Sequence, residues 1–128
     1  MNYLLIDACG WVACRTAGIN IDNEVLRLLG KPEWIVLDVV IDELHHLLST
    51  KEVSPSTMLL DMLIEKSTSV QTAHRESTHT DDLILEIAKE KKATILTIDV
   101  DLKRRAYGSN IPIVEIRKGN RLFLVDSV

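Results

Sequence analysis

Short runs of apolar residues alternate along the chain with segments whose apolar residues recur every three or four positions. Runs of the first kind predict strands at residues 3–6, 34–37, 94–98, 111–116 and 121–125, of which 94–98 is expected to be buried, and residues 67–72 are predicted to form a further short strand. Segments of the second kind predict helices at residues 21–29, 39–48, from 54–56 onward, from 80 to the 89–92 lysine cluster, and at 102–107. Strands that alternate with helices of this length favour an α/β fold, a three-layer α/β/α domain with a mainly parallel central sheet.

Residues at the element ends support these boundaries. Asn20 or Asp22 is predicted to cap the helix 21–29, and Gly30 is predicted to end it. Thr80 is predicted to cap the helix that follows it, and the turn at 118–120 predicts that the last two strands form a hairpin. The helix from 54–56 is predicted to bury a stripe formed by Met58, Leu59, Met62 and Leu63.

Length and composition limit the class of protein. The chain has 128 residues, so residues 1–128 are predicted to form one domain with a core of Leu, Ile and Val, since only five aromatic residues are present. No apolar stretch approaches the ~20 residues needed to cross a bilayer, and no basic segment of a signal peptide precedes the first strand. Cys9 and Cys14 fit no disulfide framework. We therefore expect a cytoplasmic protein without a membrane partner.

The charge balance is mildly acidic, with a net charge of −4. This balance counts against a strongly basic nucleic-acid-binding face. The last third of the chain is nevertheless basic, through Lys89, Lys91, Lys92, Lys103, Arg104, Arg105, Arg117, Lys118 and Arg121. Binding of nucleic acid is therefore weakened as an interpretation but is not excluded.

Acidic residues lie where the predicted strands and helices meet: Asp7, Glu43, Asp81 with Asp82 beside it, and Asp99. The carboxyl ends of parallel strands are where ligands bind in α/β folds, so these acids are expected to converge. Clustered carboxylates form the oxygen-rich environment that Mg²⁺ and Mn²⁺ prefer. We take Asp7, Glu43, Asp81 and Asp99 as candidate catalytic metal ligands and Asp82 and Asp101 as secondary ones.

A divalent ion in such a cluster suits the hydrolysis of a phosphodiester, because it lowers the pKa of bound water and stabilises charge on the phosphate. Thr97 is a candidate to hold a carboxylate or the attacking water. Lys103, Arg104 and Arg105 are candidates to bind the phosphates of the substrate, although a solvated helix face explains them equally well. Each acid taken singly also has a purely structural explanation, since Asp7 and Asp99 are predicted to cap the helices that follow them.

Four segments, in order, resemble the PIN-domain ribonuclease family: residues 4–7, 39–44, 80–85 and 97–102. The resemblance implies a metal-dependent endoribonuclease that cuts single-stranded RNA. Residues 81–82, 99–105 and 111–114 are especially similar to the members that process ribosomal RNA and their stand-alone archaeal relatives, with VapC-like toxins as the related branch. The implied partners are RNA, a second copy of the chain, and ribosome-assembly factors or an antitoxin.

One position departs from the family pattern, which has Thr or Ser and often Asn after the first aspartate, whereas Ala8 and Cys9 stand here. This departure and the acidic charge favour the alternative of a non-catalytic scaffold that binds RNA or protein. Zinc is disfavoured because the four histidines lack ligand spacing. Trp11 is a candidate to stack on an unpaired base, to pack in the core or to form a dimer contact.

Overall fold

The computed structural model describes residues 2–49, 55–118 and 120–126, apart from the side chains of residues 48–49 and 55–60. Six strands are present in the described chain: β1 (Tyr3–Ile6), β2 (Glu33–Leu37), β3 (Ser67–Val70), β4 (Thr94–Leu96), β5 (Ile113–Arg117) and β6 (Arg121–Val125). Six helices accompany them: α1 (Ala8–Thr16), α2 (Ile21–Leu29), α3 (Asp38–Ser49), α4 (Pro55–Lys66), α5 (Thr80–Lys91) and α6 (Val100–Gly108).

The strands form one sheet in the order β3-β2-β1-β4-β5-β6. The first five strands are parallel, and Leu5 of β1 lies beside Ile35 of β2 and Ile95 of β4. Only β6 is antiparallel, so it forms with β5 the hairpin that the sequence predicts. The predicted α/β fold with a mainly parallel sheet is confirmed.

The strand order determines where the helices lie. From β1 the chain moves toward β2 and β3, whereas from β3 it crosses β1 and continues outward through β4 and β5. Right-handed crossovers then place α1 to α4 on one face of the sheet and α5 and α6 on the other, which gives the three layers. The order reverses between β1 and β4. The carboxyl ends of these two strands therefore border the crevice where ligands bind in such folds.

The core is aliphatic, as the composition predicts. Leu4, Leu5, Ile95 and Leu96 in the two central strands are fully buried. Strands covered by helices on both faces bury every side chain, which explains their continuous apolar runs. Each such side chain stabilises the fold by about 1.5–3 kcal/mol relative to exposure.

The helices contain nine or twelve residues. At 1.5 Å per residue the longest spans only about 18 Å. Within the described parts of the chain, no helix has the length and apolar character that crossing a membrane requires.

The main error of the sequence prediction is α1, which was not predicted. Its sequence, ACGWVACRT, carries small or apolar residues at almost every position and lacks a polar face with helical period. Its second turn buries Trp11, which is 1% exposed and packs against Trp34 with ring centroids 5.9 Å apart. The interpretation of Trp11 as a base-stacking residue is therefore wrong, and its core alternative is confirmed.

Other differences concern element ends and one helix face. Asn20 caps α2 and Gly30 ends it, as predicted. Position 79, not Thr80, precedes the first turn of α5, and its side chain makes no capping hydrogen bond. In the predicted stripe of α4, Leu63 is buried but Met62 is exposed. Ser54 and the side chains of Met58 and Leu59 lie outside the described residues.

Candidate active site

Asp7 lies at the carboxyl end of β1 and caps α1. One carboxylate oxygen, Oδ1, accepts a hydrogen bond from the backbone N–H of Gly10 at 2.7 Å. The other, Oδ2, accepts one from the hydroxyl of Thr97 at 2.6 Å. The side chain is only 5% exposed. Because an ionised carboxylate offers about four lone-pair directions, these two bonds fix its orientation and leave capacity for another ligand.

Gly10 allows α1 to approach this carboxylate closely. A Cβ atom at position 10 would lie 2.7 Å from the carbonyl oxygen of Leu96 and 2.9 Å from Oδ1 of Asp7. Both distances are shorter than van der Waals contact, and the Leu96 oxygen belongs to the backbone of β4. Only glycine therefore lets the first turn of α1 pack against the end of β4 at this distance.

Thr97 joins the first and the last acid of the site. Its side chain is fully buried, and its oxygen accepts the backbone N–H of Asp99 at 3.1 Å while its hydroxyl donates to Asp7. Asp99 in turn caps α6, since its Oδ1 accepts the N–H of Leu102 at 3.0 Å. The structure thus brings Asp7, Thr97 and Asp99 into one chain of hydrogen bonds across the β1–β4 crevice.

The electrostatics of this crevice favour a cation. The pKa of Asp7 is raised to about 6, mainly by burial and to a smaller extent by the charges of Asp81 and Asp99, against the hydrogen bonds from Thr97 and Gly10 that lower it. The pKa of Asp81 is also raised, first by burial and then by the charge of Asp99. Three acids that lie far apart in sequence therefore repel one another in the folded chain. A bound cation would relieve this repulsion.

Glu43 approaches the same region from α3, which packs against α1. The pKa of the Cys9 thiol is raised to about 11, first by burial and then by the carboxylates of Asp7, Glu43 and Asp99 in that order. Cys9 therefore lies within electrostatic reach of both Glu43 and the β1–β4 crevice. The Glu43 side chain is exposed, and no described residue forms a hydrogen bond or ion pair with it.

The donor set fits a hard divalent cation, because carboxylate oxygens are the ligands that Mg²⁺ and Mn²⁺ prefer. The type and the charge of the ligands suit such an ion, but the side chains do not yet surround a single position. Within the described residues, no three His, Cys, Asp or Glu side chains stand close enough together to hold an ion without rearrangement. Asp7 and Asp99 are held in place, whereas Glu43 and Asp81 would have to turn toward them.

Asp82 and Asp101, the secondary candidates, both form ion pairs. Asp82 accepts a hydrogen bond from Arg105 at 2.5 Å and one from Ser77 at 3.4 Å, and the bond from Arg105 is the main cause of its lowered pKa. Asp101 has an 80% exposed side chain and pairs with Arg104 at 3.4 Å. Neither is hydrogen-bonded to Asp7 or Asp99, so their roles as ligands stay predictions.

The three consecutive basic residues of α6 point in different directions. Lys103 lies 3.8 Å from Glu115 on β5, and Arg104 pairs with Asp101. Arg105 alone lines the pocket at the start of α5, a space of about 440 Å³ whose lining residues are His79, Thr80, Asp81, Asp82 and Arg105. Their binding of substrate stays a prediction, but the structure places only Arg105 beside Asp81.

Asp38, at the carboxyl end of β2, was missed by the sequence analysis. Its carboxylate accepts the hydroxyl of Thr72 at 2.6 Å and the backbone N–H of the same residue at 3.2 Å. Although partial burial opposes ionisation, these hydrogen bonds lower its pKa. An apolar run that ends in aspartate, as in β1, was the available signal. Through these hydrogen bonds Asp38, at the start of α3, holds the segment that follows β3.

Comparison with known proteins agrees with this fold. Residues 4–119 match the model of a family described as PIN like domain. No curated protein matches the sequence of the chain. The family match covers every candidate acid and all strands except β6.

Solved structures share the fold at low sequence identity. The PIN domain endonuclease Utp24 superposes with a TM-score of 0.79 at 22% identity, over 98% of this chain and 95% of Utp24. A domain of a functionally unknown protein from Methanocaldococcus jannaschii gives 0.64 at 18% identity, over 93% and 94% of the two chains. PAE2754 from Pyrobaculum aerophilum gives 0.53 at 16% identity, over 79% and 77%.

Proposed function

Because the chain belongs to the PIN-like domain family, we propose that it is a metal-dependent endoribonuclease that hydrolyses phosphodiester bonds in single-stranded RNA. One observation carries the proposal. Asp7 is buried at the β1–β4 crevice with its pKa raised to about 6, and the charges of Asp81 and Asp99 contribute to that rise. The burial and mutual repulsion of these acids cost stability unless a cation compensates their charge.

Each residue of the site has a separate role in the proposed hydrolysis. Asp7 and Asp99 would hold Mg²⁺ or Mn²⁺, with Glu43 and Asp81 completing the oxygen ligands. The bound ion would supply an activated water and stabilise negative charge on the phosphate. Thr97 keeps the Asp7 carboxylate in one orientation. Arg105, which lines the same pocket as Asp81, would bind a phosphate oxygen of the RNA.

The first biological role that we propose is maturation of ribosomal RNA in the cytoplasm, with ribosome-assembly factors as partners. The similarity of residues 99–105 and 111–114 to that branch of the family supports it, as does the fold shared with the endonuclease Utp24. A second candidate is a non-catalytic RNA-binding scaffold. It is favoured by the absence, among the described residues, of a preassembled group of three metal-ligating side chains.

The test is cleavage of a labelled single-stranded RNA with Mn²⁺ or Mg²⁺ by the wild type, Asp7→Asn and Asp99→Asn. We expect metal-dependent cutting that both substitutions abolish. Asp42→Asn is the matched control, because Asp42 is an exposed aspartate on α3 beside Glu43. A rise in melting temperature on addition of metal should accompany activity.

Two results would redirect the proposal. A folded wild type that neither cuts RNA nor gains stability from metal would leave the scaffold as the better account. Metal-dependent cutting combined with growth arrest on expression would favour a VapC-like toxin, whose partner would be an antitoxin.

A further inference from the structure

Two pockets adjoin at the ion pair between Asp82 and Arg105. The first is the pocket at the start of α5, beside Asp81. The second, about 530 Å³, lies between α5 and α6, and its lining residues are Asp82, Leu85, Glu86, Lys89, Arg105, Gly108 and Ser109. We call this second pocket the α5–α6 groove. It leads away from the candidate metal ligands along the surface of two helices.

The spacing of residues on α5 explains the course of the groove. Asp81, Leu85 and Lys89 follow one another at intervals of four, which places them on one face of the helix. Eight residues of helix extend about 12 Å. A polymer whose reacting phosphate lies at Asp81 can therefore continue along this face past Leu85 to Lys89.

The charges of the α5–α6 groove suit a phosphodiester chain. Lys89 is exposed and forms no ion pair with any described residue. Glu86, the other acid at this wall, is paired with Arg75 at 3.4 Å. Arg105 is half exposed at the junction of the two pockets. Among the described residues, Lys89 is thus the unpaired cation at one end of the groove, and Arg105, which is paired with Asp82, is a second cation at the other end.

The wall between the two cations is less polar. Leu85 is 6% exposed, and Gly108 contributes no side chain. The open space beside Gly108 can take the ribose or base of a nucleotide, whose neighbouring phosphates would reach the cations at the two ends. The mixed character of the groove therefore matches a single strand better than it matches a purely apolar ligand.

We propose that the α5–α6 groove binds the segment of single-stranded RNA that flanks the scissile phosphate, with Arg105 and Lys89 contacting successive parts of its backbone. This inference rests on the proposed function and names the surface on which the enzyme holds its substrate. It separates Lys89, which the sequence offers only as a member of a lysine cluster, from Lys103 and Arg104, which lie away from the pocket.

Gly108 provides a direct test of the groove. A Cβ atom built at this position meets no atom within 4 Å, so a larger side chain can enter without disturbing the fold. We expect Gly108→Leu to raise the KM for a long RNA roughly tenfold and to leave kcat unchanged. The melting temperature should stay the same or rise slightly, because leucine favours a helix more than glycine does. Gly108→Ala, which adds one carbon, should have a smaller effect at the same position.

Lys89→Ala tests the charge. A lost phosphate contact should weaken RNA binding roughly 3- to 10-fold and lower the salt dependence of log K by about one. Lys31→Ala is the matched control, because Lys31 is an exposed lysine that precedes β2 and so lies toward the amino ends of the parallel strands, whereas the candidate acids lie at their carboxyl ends. A short RNA that extends by only one nucleotide on either side of the cut should not reach Lys89. The wild type and Lys89→Ala should therefore bind this RNA with more similar affinities than they bind a long one.

The results separate this inference from the proposed function. If the wild type cuts RNA while Gly108→Leu and Lys89→Ala match it in KM and in salt dependence, the groove is not the binding surface and the nuclease proposal stands. If the folded wild type neither binds nor cuts any RNA, both proposals fail. If RNA is bound without cleavage, the same variants measured by direct binding decide the role of the groove.

Discussion

The two sides of the candidate site are built differently. On one side, Asp7, Thr97 and Asp99 are joined by hydrogen bonds of 2.6 and 3.1 Å, and both aspartates cap helices. On the other side, no described residue forms a hydrogen bond with Glu43 or Asp81. We call these the fixed side and the free side.

The difference follows from the elements that carry the residues. The fixed side leaves the carboxyl ends of two adjacent strands, where backbone N–H groups of helix starts and a buried hydroxyl are available to carboxylates. The free side projects from the surfaces of α3 and α5. A metal ion would therefore find half of its ligands in place and would order the rest on binding. Substitutions on the fixed side should affect both stability and activity, whereas those on the free side should affect activity alone.

The largest expected effect is the dependence of stability on pH in the metal-free protein. Folding raises the pKa of Asp7 from 3.8 to about 6, so the native state holds this proton more tightly than the unfolded chain. The resulting stabilisation is fully present below about pH 4 and is lost as the pH rises through about 6, a loss of about 3 kcal/mol. Urea unfolding from pH 4 to pH 8 measures it.

Two comparisons isolate the contribution of Asp7. Asp7→Asn should lose this part of the pH dependence, while Glu43→Gln should keep it. Mg²⁺ should restore stability more at pH 8 than at pH 5, because the cation favours the ionised carboxylate. A wild type and an Asp7→Asn variant with parallel pH profiles would contradict the assignment.

Gly10→Ala should lower the free energy of unfolding by about 2 kcal/mol, because its new Cβ would crowd the Leu96 carbonyl oxygen and the Asp7 carboxylate. Cleavage should fall as well, since the strain acts on the carboxylate directly. Thermal unfolding and cleavage rates measure the two effects. Gly108→Ala is the control, and it should match or exceed wild-type stability. Full stability of Gly10→Ala would mean that α1 can move away from β4.

Thr97→Val should lower the free energy of unfolding by about 1–2 kcal/mol, because it removes the hydroxyl between Asp7 and the Asp99 N–H. Metal affinity, measured by calorimetry, should fall about 10- to 100-fold, as it does when the partner of a ligand is lost. Thr97→Ser keeps the hydroxyl and should retain most of the stability and most of the metal affinity. If the serine variant fails as badly as the valine one, packing rather than hydrogen bonding is the role of this residue.

Glu43→Gln and Asp81→Asn should lower the free energy of unfolding least, by less than about 0.5 kcal/mol, because neither carboxylate is hydrogen-bonded and the loss of the Asp81 charge relieves its repulsion of Asp7. Cleavage and metal affinity should nevertheless drop sharply. Asp42→Asn, one residue before Glu43, should leave cleavage and metal affinity unchanged. A loss of stability in Glu43→Gln comparable to that of Thr97→Val would remove the distinction between the two sides.

Local patterns identified most of the fold. The strands β1 and β4 were found because strands buried on both faces give continuous apolar runs, and Asp7 and Asp99 follow them directly or within three residues. The helix α1 was missed because its close fit to β4 selects small residues such as Gly10 in place of a helical apolar period. Asp38 was overlooked although it ends a strand as Asp7 does.

The sequence by itself determined the order of strands and helices, the aliphatic core and the acids that lie at their junctions, because each depends on residues close together along the chain. Only the tertiary structure decided which acids are held and which are free, because Thr97 meets Asp7 across 90 positions. It also separated Arg105 from its two basic neighbours. Consecutive helix residues point about 100° apart, and which of them faces the site depends on how α6 packs against α5.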